Sequence, residues 1–162
     1  EFYEQNKQHF ILDRAILRGL LLIMPVGAPN IEKLKDVVEV PHEEENIEWV
    51  EKYAYQYAVG YELFLDDWKT VSQIILRMPF EKDDLNKQLK ATRQIELQDS
   101  INTYLLQVTD LYQANQPMPI EYARPEIEKI MLAQRQVNFI QQERIGLYEK
   151  AIKEGILKRY EE

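Results

Sequence analysis

The stretch INTYLLQVTDLYQANQPMPIEYARPEIEKIML, Ile101 to Leu132, limits the fold most. Its first half is rich in residues that favour a pleated, half-buried strand, and its second half opens a long run of helical period. Between them stand Pro117, Pro119 and Pro125. Proline fixes φ and removes an N–H, so a strand that meets this cluster has to stop, while a helix can begin on it. A chain built this way carries a sheet that ends near residue 113 and a helix that starts as a separate piece.

The helical run is the strongest pattern in the sequence. At 100° per residue, Ile127, Ile130, Met131, Val137, Ile145, Tyr148 and Ile152 gather on one side. Leu132, Phe139, Ile140 and Leu147 make a second facet. One stripe is enough for a helix lying on a single core. Two predict that this helix packs on more than one thing, with Pro125 in the first turn of its main segment.

Upstream, EFYEQNKQHF (1–10) suits a short helical lead-in ending near His9. AILRGLLLIMP (15–25) is a short apolar run closed by Pro25, Gly27 and Pro29, which predicts a buried strand. Asn30 is placed to cap a helix over IEKLKDVVEV, and the acidic EEEN at 43–46 suits a helix N-terminus. From there Ile47, Val50, Ala54, Tyr57, Ala58 and Tyr61 share a stripe, predicting a helix to about Gly60. Asp66 or Asp67 then predicts the cap of a further helix through Leu76, and KDDLNKQL (82–89) another turn or two. Residues 92–113 predict two strands joined at Gln98-Asp99-Ser100. The predicted order is helix, strand, several helices, two strands, long helix.

The 162 residues, 45% hydrophobic, are enough for one domain with a core, or a small domain with a helical attachment. A net charge of -8 argues against a nucleic-acid surface, since phosphate binding needs clustered Lys and Arg. Five glycines include no phosphate loop, so no nucleotide cofactor is expected. Without cysteine there is no disulfide, thiolate metal site or cysteine nucleophile. The longest apolar run, Leu20 to Met24, is strand-sized, so no membrane-spanning segment is expected. The sequence starts with neither an initiator Met nor a signal peptide, and a longer chain is the expectation.

Chemistry-bearing residues are sparse. His9 and His42 have no triad partner at a recognisable spacing and read as solvated. The pairs Asp66/Asp67 and Asp83/Asp84 read first as helix caps and only second as an acid–base pair or metal ligands. No calcium-loop or HExxH pattern is present, and no metal is expected. Trp49, Tyr53, Tyr55, Tyr57 and Tyr61 crowd one segment, and only some can face its core. Exposed Tyr and Trp suit adaptable contact with a polypeptide partner.

Three stretches carry a family resemblance. FYEQNKQHF is similar to lead-ins of the form Tyr-Tyr-x-x-Asn-Lys-x-x-Phe, LRGLLLIMPVGAPNIEKL to a first strand Arg-x-x-His-Ile-Leu-Ile-x-x-Pro with its loop and helix, and NTYLLQVTD to a last strand Gly-Tyr-His-Ile-Ile-x-Val-Thr-Asp. With QPMPIEYARPEIEKIMLAQRQ behind them, the chain resembles parvulin-type peptidyl-prolyl isomerase domains of SurA-like periplasmic chaperones and foldases. The resemblance implies an α+β fold: a small antiparallel sheet surrounded by helices and followed by a long C-terminal helix. It implies a lead-in over 1–12, a parvulin-like domain over 13–114 and a helical extension over 115–162. It also implies a periplasmic location, with unfolded or envelope-protein polypeptides as clients.

The departures from the family pattern bear on activity. Its two core histidines align with Gly19 and Tyr104, and its Gly-Gly-Asp-Leu-Gly loop with LFLDDWKT, which has no glycine. Prolyl isomerisation must lower a barrier of about 18–20 kcal/mol, which takes a shaped polar pocket. The expectation is therefore a non-catalytic chaperone or assembly factor, with Trp49, Tyr53, Trp68, Leu132, Phe139, Ile140 and Leu147 as candidate client-binding residues. A divergent isomerase using Tyr104, Asp66 and Asp67 is the enzyme alternative. A module that oligomerises through its last helix is a third.

Overall fold

A computed structural model describes residues 1–41, 43–79 and 82–155, with only the backbone of Lys82 and Asp83. His42 and the side chain of Asp83 lie outside the described residues, as does the end of the predicted extension past 155. The fold is α+β, a four-stranded antiparallel sheet with helices and a long C-terminal helix. The chain divides into two units, residues 11–117 and residues 1–10 with 118–162.

In the first unit the strands are β1 (Ile16–Pro25), β2 (Gly60–Thr70), β3 (Gln94–Gln98) and β4 (Asn102–Tyr112), in the order β2-β1-β4-β3. The helices are α2 (Ile31–Val38), α3 (Glu44–Tyr57), α4 (Val71–Ile75) and α5 (Lys82–Ala91). Helices cover both faces of the sheet. Leu17, Leu21, Phe64, Tyr104, Leu106 and Val108 pack with Val71, Ile74 and Met78 of the α4 segment and Leu85 and Leu89 of α5. On the opposite face, Leu20, Leu22, Met24 and Leu105 pack with Leu34 and Val38 of α2 and Val50, Tyr53 and Ala54 of α3. Burial on both faces explains why β1 is almost continuously apolar instead of alternating.

The central pair, β1 with β4, meets at Gly19. Register slips there on both sides of β1. Between Leu17/Lys69 and Gly19/Phe64, Arg18 alone stands against Leu65 to Trp68 of β2, and on the other side Thr109 of β4 is extra between Arg18/Asp110 and Gly19/Val108. Gly19 has φ +157°, and a Cβ on it would lie 1.9 Å from the carbonyl oxygen of Gln107. No L side chain fits that position without moving a neighbouring strand.

Several sequence expectations are corrected here. Residues 60–70 form strand β2, and the helix after it is capped by Thr70 in a capping box with Gln73, not by Asp66 or Asp67. Asp-Asp in mid-segment opposes a strand reading; the bulge accommodates it by turning both carboxylates outward, where they are exposed. Glu62 secures the bulged strand, pairing with Lys69 at 3.0 Å and Arg77 at 3.2 Å. Helix α3 ends at Tyr57, so Tyr61 leaves its stripe and enters β2. Asn30 sits at the start of α2 in a left-handed conformation, φ 59°, without a side-chain cap bond. The β3–β4 hairpin turns at Asp99, within the sequence-predicted connection.

The second unit holds α1 (Phe2–Asn6), a 3-10 turn over Lys7–His9, and α6 (Ile120–Lys153). Tyr3, Phe10, Ala123 and Ile127 form its core, with Phe2, Met118, Ile130 and Met131 packed at the edge. The Tyr3 hydroxyl donates to the Met118 carbonyl, and the Met118 N–H donates to the Phe10 carbonyl at 2.8 Å. The helix starts five residues before Pro125, which therefore lies in its interior and not in its first turn.

Two glycine substitutions are expected to move stability in opposite directions. Gly19→Ala drives a methyl into the Gln107 carbonyl and should cost at least about 3 kcal/mol. Gly146→Ala in α6 meets no atom within 4 Å and should stabilise by about 1 kcal/mol through helix propensity. Thermal and urea unfolding of the two variants checks both signs.

Candidate functional site

Strands β1 and β4 are hydrogen-bonded neighbours. The two positions aligned with the family histidines do not meet, however. Gly19 stands opposite Val108 and Tyr104 opposite Ile23, four pairs apart and so roughly 13 Å along the strands. The β1–β4 register therefore holds Gly19 and Tyr104 apart. The β1 side chains sharing a face with Tyr104 are Leu17, Leu21 and Ile23, all apolar.

Tyr104 is 9% exposed, and its hydroxyl donates to an Asp99 carboxylate oxygen at 3.0 Å. The other Asp99 oxygen accepts the backbone N–H groups of Ile101 at 2.7 Å and Asn102 at 2.6 Å. The phenol thus braces the hairpin turn. Backbone N–H donation from Asn102 and Ile101, with a smaller contribution from Tyr104, holds the Asp99 carboxyl below its ordinary value.

Asp66 and Asp67 are elsewhere. They lie in the β2 bulge opposite Arg18, and β1 separates β2 from β4. Arg18 is five residues along β1 from Ile23, the partner of Tyr104, or roughly 17 Å. The three residues invoked for a divergent catalytic centre are therefore not brought together. Among the described residues, no group of three or more His, Cys, Asp or Glu is placed to hold a metal ion. His9 is exposed.

The aromatic candidates divide by what they touch. Trp49 stacks on Tyr53 at 5.3 Å and 19°, with the Lys33 ammonium 5.0 Å above the indole. Tyr53 is buried, its hydroxyl donating to the Pro29 carbonyl at 2.7 Å, and burial pushes its phenol up. Trp68 lies under the Arg18 guanidinium at 4.2 Å and edge-on to Tyr112 at 5.3 Å. All three rings are engaged in internal packing. Among the described aromatic residues of the first unit, Tyr55, 90% exposed, and Tyr61 are open, and they line a shallow cleft with Glu51, Lys52 and Gln56. Tyr55 could have been singled out in the sequence because it falls off the α3 core stripe; Tyr61 required knowledge of β2.

On α6, Leu132, Phe139, Ile140 and Leu147 are between 51% and 66% exposed. Val137, Ile145 and Tyr148 on the first facet are more than half exposed as well. Scattered apolar residues are ordinary on a protein surface; here they recur along the length of one helix. No helix among the described residues is long and apolar enough to cross a membrane.

Compared with protein-family models, curated proteins and solved structures, the chain matches none.

The Asp99 turn generates a pH prediction. A carboxyl held below 3.8 in the fold contributes stability that is complete above 3.8 and is lost as pH falls through the lower folded value. Asp99→Asn should therefore lower Tm at neutral pH, and the gap from wild type should close as pH falls below about 4. Tyr104→Phe, losing one hydrogen bond, should cost about 1 kcal/mol at neutral pH. Thermal melts across an acid series check both.

Proposed function

We propose that the chain is a chaperone or assembly factor that binds unfolded or envelope-protein polypeptides through a non-catalytic parvulin-like domain and its helical extension, in the periplasm. The observation that carries this reading is the exposed facet of Leu132, Phe139, Ile140 and Leu147, with Tyr55 and Tyr61 as a second apolar area. Such side chains gain free energy, roughly 25 cal/mol per Å² of apolar surface, when an unfolded segment covers them. Because the effect is non-directional, it suits clients of varied sequence. The three quoted stretches of similarity support the parvulin-like assignment and the periplasmic location.

The non-catalytic part of the reading rests on Tyr104. Its hydroxyl is committed to Asp99, and apolar side chains surround it on its sheet face. The alternative of a divergent prolyl isomerase gains nothing from Asp66 and Asp67, which stand beyond β1 from Tyr104.

Aggregation of an unfolded outer-membrane protein, followed by light scattering, tests the proposal. The full chain should suppress aggregation at near-stoichiometric ratio, and Phe139→Asp with Leu147→Asp should reduce suppression several-fold while leaving the circular dichroism unchanged. Absence of suppression by the wild-type chain would overturn the binding reading. In a protease-coupled assay on an Ala-Pro peptide, turnover should stay at the uncatalysed rate, and turnover well above it would overturn the non-catalytic reading.

A further inference from the structure

The first facet of α6 has an internal order that client binding does not require. Helix α1 covers its beginning, against Ala123 and Ile127, and packs as far as Ile130 and Met131. Beyond that point the stripe continues through Gln134, Val137, Gln141, Ile145 and Tyr148, all exposed, to the half-buried Ile152. Taken from Ile130, the steps between successive stripe residues are 4, 3, 4, 4, 3 and 4. This is an 11-residue repeat, Ile130 to Gln141 to Ile152, close to the period of a straight helix. It also reads the same in both directions about Gln141.

Two shallow grooves lie on this stripe. One is lined by Ile130, Ala133, Gln134, Val137 and Asn138, and the other by Arg144, Ile145, Tyr148, Glu149 and Ile152. Reversal about Gln141 exchanges Ile130 with Ile152, Ala133 with Glu149, Gln134 with Tyr148, Val137 with Ile145 and Asn138 with Arg144. Every lining residue of one groove maps onto a lining residue of the other. A surface that is its own partner under reversal is what an isologous two-fold contact demands.

We infer that α6 pairs antiparallel with α6 of a second copy of this chain, centred on Gln141. In this register Tyr148 of each copy enters the groove around Gln134 of the other, with the Gln134 amide opposite its hydroxyl, in the manner of a knob in a hole. Val137 packs on Ile145, Ile130 on Ile152, and the two Gln141 side chains meet on the axis. Between Ile130 and Ile152 no opposed pair brings like charges together. The polar Gln141 and Gln134 fix register at some cost in stability, as buried polar residues do in helical pairs. The contact runs about 33 Å, from Ile130 to Ile152.

The lead-in decides the direction. In a parallel, in-register pair, α1 of both copies would contend for the stripe at Ala123–Met131. The antiparallel pair carries each α1 past Ile152 of the other copy. The second facet, with Leu132, Phe139 and Leu147, stays outside the seam, so the pairing stands on α6 alone and is independent of client binding.

The native chain has no cysteine, which makes the test direct. Light scattering on the full chain at high micromolar concentration should give twice the chain mass. Val137→Glu with Ile145→Glu should give a monomer of unchanged circular dichroism, and Phe139→Glu should remain a dimer. Under oxidation, Gln141→Cys should form a disulfide-linked dimer. A mixture of Gln134→Cys and Tyr148→Cys chains should cross-link to each other, while neither does so alone. A monomeric wild-type mass overturns the inference. So does dissociation by Phe139→Glu but not by the facet-one variant, or cross-linking of Gln134→Cys chains with themselves.

Discussion

The sheet depends on one close approach, the backbone of Gly19 against the carbonyl of Gln107. Both register slips of β1 converge on it, and the two hydrophobic layers are anchored on the strands that it brings together. Leu21 and Leu106 serve one layer, and Leu22 and Leu105 the other. Each of these leucines is essentially inaccessible, and burial of one is worth about 1.5–3 kcal/mol. A side chain at residue 19 would displace the pairing that positions all four. Position 19 is thus closed to any side chain by the shape of the backbone.

Elements set by a strong local pattern were legible in the sequence. The apolar run of β1, the β3–β4 hairpin and the length of α6 follow from periodicity, proline and turn residues. Elements decided by distant partners were not. Strand β2 carries Asp66-Asp67 in its middle, and it is a strand because Ile16 to Ile23 offer it a ladder and because a bulge discharges the mismatch. Thr70 outcompeted both aspartates as a cap because Gln73 lies three residues on, completing a reciprocal pair of bonds. For the candidate site, the exposed apolar residues of α6 could be named from the sequence. The separation of Gly19 from Tyr104 could not, since the β1–β4 register is set by pairing between segments distant in sequence.

The aromatic residues show the same division. Trp49 and Tyr53 are four residues apart on α3, so stacking on each other is the contact their spacing favours. Tyr53 adds a hydrogen bond to the loop before α2, which ties α3 to a segment 24 residues earlier. A tyrosine or tryptophan count overstates the surface open to a partner, because amphipathic rings find internal partners first. What remains open is carried by residues one turn off the core stripe or beyond the end of a helix.

The first unit starts and finishes at one place. Ile11 bridges Pro117, the Leu12 N–H donates to the Gln116 carbonyl at 2.9 Å, and the Asn115 N–H donates to the Leu12 carbonyl at 2.8 Å. The second unit is discontinuous in sequence, since Tyr3 and Phe10 must find Ala123 and Ile127 across the whole intervening domain. Closing a loop of roughly a hundred residues costs entropy that grows as the logarithm of its length. Once the sheet has formed, the hundred-residue loop is replaced by a short closed neck, and the remaining search involves only a few residues on each side. The entropic cost of assembling the aromatic cluster is therefore lower once the sheet has closed the neck.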